Sequence, residues 1–181
     1  MHQQQKSITS CFVDTGVFFA SYYEGDALHV DGALLLLSAT LGWFGKTYTS
    51  TYVFDETITL AKAKLGGNKA VELAEYILNS KKITILSVED LNKARDTKLE
   101  KTLDDALSKF KKHSEMRGLS FTDCTSLTLL EGMKIKCVLS FDGNFRSFAS
   151  KLLGEGYGSS LDRGESEILD KAAKELGIKL R

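Results

Sequence analysis

Residues 11–20 read CFVDTGVFFA, an apolar stretch that is interrupted by one carboxylate, Asp14. Residues 8–13 are predicted to form a β-strand, because the run is short, apolar on average and β-branched near its ends. A helix is expected over residues 15–23, and Asp is a preferred residue at the N-cap of a helix. Capping alone would account for Asp14, so a functional interpretation depends on what the rest of the chain places beside it.

The pattern of a short apolar run followed by a helical segment recurs along the chain. Residues 82–88, KITILSV, are the clearest predicted strand, and residues 137–141, CVLSF, form another. Residues 30–41 and 121–132 are predicted helices, and residues 91–116 are predicted to form one charged helix. Strands that alternate with helices are typical of βαβ units. The predicted fold class is therefore α/β, a three-layer α/β/α architecture with a central, mainly parallel sheet and helices on both faces.

Turn-forming residues mark the less regular parts of the chain. Residues 43–50 are predicted to be a connection that leads into residues 51–54, TYVF, after which Asp55 and Glu56 open a helix. The segment GEGYGSS near the C-terminus is rich in Gly and Ser, which predicts a flexible link. Beyond it, the spacing of a capping box predicts a C-terminal helix, and residues 178–180 are a candidate edge strand.

Length and composition limit the architecture. A chain of 181 residues is long enough for one domain with a substantial core. We expect a single domain over residues 1–181, with a core over about residues 8–148 and a helical extension over about residues 160–181. Hydrophobic residues make up 43% of the chain, which is usual for a soluble protein, and no apolar run approaches the length of a membrane span.

Charge and cysteine content limit the partners and the compartment. Lys and Arg together number 24, as do Asp and Glu, so no global field would attract nucleic acid. Contact with nucleic acid would depend on local patches, although each one is more commonly a solvated helix face. The candidate patches are Lys62, Lys64 and Lys69; Lys109, Lys111, Lys112 and Arg117; and Lys134, Lys136 and Arg146. The N-terminus lacks the features of a signal peptide and the three cysteines form no CxxC pattern, so we expect a cytoplasmic protein with reduced core thiols and no membrane contact.

Four carboxylates are expected at one edge of the predicted sheet. Asp14 and Asp142 each directly follow a predicted strand. Glu56 lies at a predicted helix start, and Asp123 lies in the first turn of another helix. Loops at the carboxyl ends of parallel strands converge, and crowded carboxylates require a neutralising cation because each raises the pKa of the other. Oxygen ligands without His or Cys favour Mg²⁺ or Mn²⁺, which would activate water and stabilise charge on a phosphodiester.

Four short motifs carry a family resemblance. The motifs are FVDT at residues 12–15, VFDET at 53–57, LSFTD at 119–123 and LSFDGNF at 139–145. Their order, with the acids Asp, Glu, Asp and Asp, resembles the four acidic motifs of PIN-domain nucleases over about residues 8–148. The segment over residues 26–30, which contains His29 and precedes an apolar helix, also resembles that family.

The resemblance implies a PIN fold and an Mg²⁺- or Mn²⁺-dependent ribonuclease that hydrolyses RNA. The implied catalytic and metal-binding acids are Asp14, Glu56, Asp123 and Asp142, and the implied supporting groups are Thr15, Thr122, Ser140 and Asn144. Many relatives carry a further acid at the position of Asn144. Free-standing PIN proteins of this size are often toxins of toxin–antitoxin pairs, so the resemblance also implies an antitoxin protein as partner. Family habit implies a homodimer.

Other interpretations remain open on the residues themselves. Each acid taken alone is compatible with a helix-start or turn position, and Asp55 could replace Glu56 as the ligand. Cys124 has no identifiable His partner that would make it a nucleophile, and His29 and His113 are expected to be surface or capping residues. Zero net charge favours an alternative function, a non-catalytic PIN-fold binding module in an RNA-processing or ribosome-assembly complex. A PIN nuclease acting in RNA maturation is a third possibility.

Overall fold

A computed structural model describes residues 8–95, 99–115 and 118–180 and places five strands of these ranges in one sheet. The strands are β1 (Ser10–Val13), β2 (Lys46–Ser50), β3 (Ile83–Leu86), β4 (Cys137–Leu139) and β5 (Lys151–Leu153). Neighbouring strands are parallel throughout, and the order across the sheet is β3-β2-β1-β4-β5. The predicted α/β fold is confirmed, with a sheet that is entirely parallel.

Nine α-helices of the described ranges surround the sheet. They are α1 (Thr15–Tyr22), α2 (His29–Thr40), α3 (Thr51–Leu65), α4 (Gly67–Asn79), α5 (Val88–Arg95), α6 (Leu99–Lys112), α7 (Phe121–Met133), α8 (Tyr157–Ser160) and α9 (Arg163–Leu176), with a 3₁₀ helix over Gly143–Ser147. Because crossovers between parallel strands are right-handed, the connections that run outward to β3 and the connection that returns to β4 lie on opposite faces. None of the described helices has the length and apolar character needed to cross a membrane.

The central strand β1 and its neighbour β4 are the most deeply buried strands of the sheet. Cys11, Phe12 and Val13 have no exposed surface, and the same is true of Val138 and Leu139 in the neighbouring strand β4. A strand that is covered on both faces is apolar on both sides, which explains why β1 lacks the alternating pattern of a half-exposed strand. The three cysteines of the chain are free and buried, as predicted.

The start of α3 corrects the prediction for residues 43–54. The predicted connection contains strand β2, and the TYVF segment is not extended but forms the first turn of α3. Ser50 ends the strand and caps the helix, since its Oγ accepts the Val53 N–H at 3.1 Å. The residues buried at four-residue spacing, Val53, Thr57 and Ala61, show the helical period that the short TYVF run concealed.

Ser50→Ala should lower the free energy of unfolding by about 1 kcal/mol, because the Val53 N–H would lose its side-chain partner at the buried start of α3. Urea unfolding at pH 7 measures this difference. Thr51→Ala, at the next and exposed position, is the matched control and should change the free energy of unfolding by less than about 0.5 kcal/mol. Equal values for the two variants would contradict the capping role of Ser50.

The charged segment predicted as one helix over residues 91–116 is two helices, α5 and α6, and both pack against α7. Arg95 at the end of α5 pairs with Asp105 of α6, at 3.3 Å between Nη1 and Oδ2. Residues 96–98 and 116 of the predicted helix lie outside the described residues. Exposed charged residues run through both helices, so the periodicity shows no sign of the division.

The GEGYGSS segment, predicted to be a flexible link, is held in place by hydrogen bonds. The carboxylate of Asp31 accepts the N–H groups of Gly156 and Gly158 at 2.7 and 2.8 Å. Tyr157, the first residue of α8, is buried and donates its hydroxyl to Ser38 Oγ at 2.9 Å. The prediction was wrong because these glycines present backbone donors to a carboxylate of α2, which satisfies them.

The predicted C-terminal helix is confirmed as α9, with its capping box. Residues 178–180 are not a strand; the carbonyl oxygen of Lys179 instead lies 2.9 Å from Nε2 of His29. Nδ1 of the same ring lies 2.8 Å from the Ala20 carbonyl oxygen. His29 is therefore buried between two parts of the chain, which corrects its expected surface or capping position.

Candidate active site

Asp14 follows β1 at the carboxyl edge of the sheet and occupies the N-cap position of α1. Its side chain makes no capping hydrogen bond; Oδ2 instead accepts the hydroxyl of Ser140, the residue that follows β4, at 2.6 Å. The residue is only 7% exposed. A buried carboxylate needs partners that compensate for lost hydration. The capping interpretation therefore fails for this side chain, which faces the neighbouring strand end.

Ser140 connects two of the predicted acids through one hydroxyl group. Besides donating to Asp14, its Oγ accepts the backbone N–H of Asp142 at 2.9 Å. Asp142 in turn accepts the backbone N–H of Asn144 at 2.8 Å and its side-chain Nδ2–H at 3.3 Å. Ser140 and Asn144 thus each contact a predicted acid, and Asn144 orients Asp142.

Glu56 reaches the same edge of the sheet from α3. It lies in the second turn of that helix, which corrects the prediction that it opens the helix. Its Oε2 accepts the hydroxyl of Thr15, the residue directly after Asp14, at 2.8 Å. The neighbouring Asp55 is exposed and forms no side-chain hydrogen bond within the described residues. Of the two alternative acids, Glu56 is the one that the fold brings toward Asp14.

Asp123 lies in the first turn of α7, and the N-terminus of this helix faces the same edge because α7 runs antiparallel to the strand that it precedes. Oδ2 accepts the Ser120 N–H at 2.6 Å, and Ser120 Oγ accepts the Asp123 N–H at 3.1 Å, which is a capping box. The capping interpretation is therefore correct for Asp123, but the capping hydrogen bond occupies only one of its two carboxylate oxygens, Oδ2. Thr122 is half-buried, and its hydroxyl forms no hydrogen bond with the acids in the described part of the chain.

The four carboxylates interact electrostatically. Burial raises the pKa of Asp14 to about 6, and the negative charges of Asp123 and Glu56 act in the same direction. Burial also raises the pKa of Asp123, and the charge of Asp142 adds to this effect. Electrostatic contact therefore runs from Glu56 to Asp14, from Asp14 to Asp123 and from Asp123 to Asp142.

Within residues 8–95, 99–115 and 118–180, no basic side chain neutralises this acidic cluster. The ion pairs in these ranges involve other carboxylates. Glu56 and Asp123 are each held through one oxygen, and no described side chain binds the second oxygen of either. An uncompensated buried charge is costly, so the arrangement favours a bound cation at neutral pH.

The donor set fits a hard divalent cation. Carboxylate oxygens without His or Cys are the ligands that Mg²⁺ and Mn²⁺ prefer. Among the described residues, no three acidic, His or Cys side chains are arranged to share one metal ion. Mg²⁺ commonly takes only one or two carboxylates and keeps several waters, so a pair such as Asp14 and Asp123 is sufficient.

Cys124, next to Asp123, is fully buried in the hydrophobic core. Burial raises the pKa of its thiol, and the charge of Asp123 acts in the same direction. A reactive cysteine needs a lowered pKa, so the thiol is unsuited to act as a nucleophile. The prediction of a core position for Cys124 is confirmed.

Strand β5 supports the site in a way that the sequence did not indicate. The Ser140 N–H donates to the Leu153 carbonyl oxygen at 3.0 Å. The backbone of Gly154 then passes so close to Ser140 that a Cβ on Gly154 would lie 2.3 Å from the Ser140 carbonyl oxygen. A strand of three residues is too short to show a periodic pattern of apolar residues. Gly154 is the one feature of the sequence that indicates a close approach of two backbone segments here.

The chain matches a family model described as PIN domain over residues 11–151, a range that contains the four acids. It is 29% identical over 170 residues to a VapC ribonuclease of Archaeoglobus fulgidus, with 93% of this chain and 98% of that protein covered. The crystal structure of Mycobacterium tuberculosis VapC20, a sarcin-ricin loop cleaving toxin, is similar with a TM-score of 0.62 and 28% sequence identity. That likeness covers 76% of this chain and 93% of the other.

Proposed function

The chain belongs to the PIN domain family, and on that premise we propose that it is a metal-dependent endoribonuclease that hydrolyses phosphodiester bonds of RNA. The observation that carries the proposal is the burial of Asp14 beside Glu56 and Asp123, with its pKa raised to about 6. Such an arrangement destabilises the fold when no cation is bound. Carboxylates with strongly shifted pKa values are typical of catalytic sites. With Asp142, these residues form the proposed catalytic quartet.

A bound Mg²⁺ or Mn²⁺ would neutralise the quartet, activate water and stabilise charge on the phosphate. Asp14 and Asp123 are the pair that would hold it directly, and Glu56 and Asp142 would add negative charge around it. Each of the four carboxylates already accepts at least one hydrogen bond from a neighbouring donor, which holds its oxygens in place.

The supporting residues of the chain fix the orientation of the acids. Ser140 donates its hydroxyl to the carboxylate of Asp14, and its Oγ accepts the backbone N–H of Asp142. Thr15 holds Glu56 in the same way, from the first residue of α1. Because a hydroxyl bonded to a carboxylate oxygen restricts its rotation, the acids are oriented before a cation or an RNA arrives.

Two relatives support a biological role. One is named a VapC ribonuclease and the other is described as a toxin that cleaves the sarcin-ricin loop. By analogy, the proposed role is that of a toxin in a toxin–antitoxin pair, active in the cytoplasm, inhibited by an antitoxin protein and acting as a homodimer.

Cleavage of total RNA by the purified protein tests the proposal. With Mn²⁺ present, the wild-type chain should cleave RNA, and Asp123→Asn should reduce the rate by about a hundredfold or more. EDTA should abolish cleavage by the wild type. Asp55→Asn, which changes an exposed acid beside Glu56, is the matched control and should retain the wild-type rate. Equal rates for Asp123→Asn and the wild type would contradict the proposal, and absence of cleavage with every RNA would favour a non-catalytic binding module.

A further inference from the structure

The end of α6 packs against the two segments that carry Asp123 and Asp142. The ring of Phe110 packs edge-to-face against Phe121, with ring centres 6.0 Å apart, and Phe121 opens the helix that carries Asp123. His113, directly after α6, packs in the same manner against Phe148 at 5.4 Å. Phe148 ends the 3₁₀ helix that Asp142 caps. Two aromatic contacts therefore attach residues 109–113 to two of the four segments that carry acids, those of Asp123 and Asp142.

Three of the same five residues are lysines, and the ion pairs of the described residues use one of the three. Lys109 pairs with Glu131 at 2.8 Å. Lys111 and Lys112 are exposed and form no ion pair within the described residues. An RNA backbone is repelled by a cluster of carboxylates, so a substrate must gain its affinity from cations outside that cluster.

Aromatic surface accompanies this charge. Phe110 is 37% exposed although it packs against Phe121, and His113 and Phe148 are half-buried. Exposed rings interleaved with lysines are the combination that binds single-stranded nucleic acid, because unpaired bases stack on the rings while the cations contact phosphates. Paired bases in a duplex are not available for stacking.

We propose that residues 109–113 form an RNA-binding arm that takes single-stranded RNA and leads it to the acidic cluster, with Lys111 and Lys112 on phosphates and Phe110 on a base. The inference rests on the proposed function, since it assigns the surface by which the nuclease holds its substrate. The arm contains Lys109, Lys111 and Lys112, which belong to one of the candidate cationic patches of this chain of zero net charge.

Fluorescence anisotropy with an unstructured RNA of about 12 nucleotides, a length within the usual site sizes for single strands, tests the arm. All proteins carry Asp123→Asn so that the RNA stays intact. Lys111→Glu with Lys112→Glu should weaken binding by about tenfold or more and reduce its dependence on salt. Phe110→Leu, which keeps an apolar side chain but removes the aromatic face, should weaken binding by about fivefold at every salt concentration.

Lys81→Glu with Lys82→Glu is the matched control. These lysines are exposed and directly precede β3, so they lie at the amino ends of the parallel strands, whereas the acids lie at the carboxyl ends. Their replacement should therefore leave RNA binding unchanged. Circular dichroism of each variant establishes that it is folded. If Phe110→Leu does not fold, the comparison of Lys111→Glu with Lys112→Glu against the control pair decides the result.

The proposed arm would be contradicted if Lys81→Glu with Lys82→Glu weakened RNA binding as much as Lys111→Glu with Lys112→Glu does. Unchanged RNA binding in both arm variants would contradict it as well. Equally tight binding of a duplex of the same sequence would overturn its preference for single strands. The wild-type protein, assayed in parallel with Mn²⁺, separates this inference from the proposed function. If the arm variants bind RNA more weakly but the wild type cleaves no RNA, the proposed nuclease function is contradicted and the arm is supported. If the wild type cleaves RNA but the arm variants bind it as tightly as their parent does, only the arm is contradicted.

Discussion

Asp14→Asn is expected to abolish RNA cleavage and, in the absence of metal, to make the protein more stable at pH 7. Cleavage should fall by about a thousandfold, because the substitution removes the charge of a proposed metal ligand at the centre of the proposed quartet. Stability should rise because the buried carboxylate has its pKa raised from 3.8 to about 6 by burial and by its acidic neighbours. Asn keeps an oxygen that can accept the Ser140 hydroxyl but carries no charge.

The direction of the pH dependence follows from that raised pKa. The folded protein holds the Asp14 proton more tightly than the unfolded chain does, so this residue lowers stability as pH rises from about 4 to about 6. The loss is complete above about pH 6 and amounts to about 3 kcal/mol. Urea unfolding with EDTA at pH 4 and pH 7 should show this loss in the wild type and a smaller one in Asp14→Asn.

Asp55→Asn is the control for the stability measurement, since it removes an equivalent charge from an exposed position. Its free energy of unfolding should follow that of the wild type at both pH values. A less stable Asp14→Asn protein at pH 7 without metal would show that the Asp14 carboxylate is compensated in the fold. That result would remove the main reason for placing a cation there.

Gly154→Ala is the second change with a large expected effect. A Cβ at this position would lie 2.3 Å from the Ser140 carbonyl oxygen, and backbone cannot yield as a flexible side chain does. Relief of the clash by movement of β5 or of Ser140 should cost about 1–3 kcal/mol of the free energy of unfolding. Because Ser140 orients Asp14, cleavage should also fall by about tenfold or more in protein that remains folded.

Urea unfolding and Mn²⁺-dependent cleavage measure the two effects of Gly154→Ala. Gly67→Ala is the matched control, because a Cβ at Gly67 would meet no atom within 4 Å and Ala is favourable in the first turn of α4. It should leave cleavage unchanged and stability equal or slightly higher. Wild-type stability and cleavage for Gly154→Ala would show that β5 does not hold Ser140 in position.

Much of the fold could be predicted because buried strands and helix faces consist mainly of apolar residues, which are visible in the sequence. β1 and β4 are covered on both faces and are therefore continuous apolar runs. β2 was missed because its sequence, KTYTS, is polar, and its buried Thr and Ser satisfy their hydroxyls through contacts that a pattern does not show. β5 was missed because three residues carry too little pattern.

The site was predicted from spacing and family resemblance, and its contacts were not. Glu56 was preferred to Asp55, and the hydrogen bond from Thr15 supports that choice. The bond between Ser140 and Asp14 joins residues 126 positions apart, which no local pattern can reveal. The role of Gly154 depends on an approach of two backbone segments that exists only in the folded chain.

Calorimetric titration of Mn²⁺ into the metal-free protein at pH 7 tests most directly the claim that the four acids form a cation site. The wild type should bind Mn²⁺ saturably, Asp14→Asn should bind it at least about tenfold more weakly, and Asp55→Asn should bind it as the wild type does. Equal affinities for all three proteins, or no binding by the wild type, would contradict the claim.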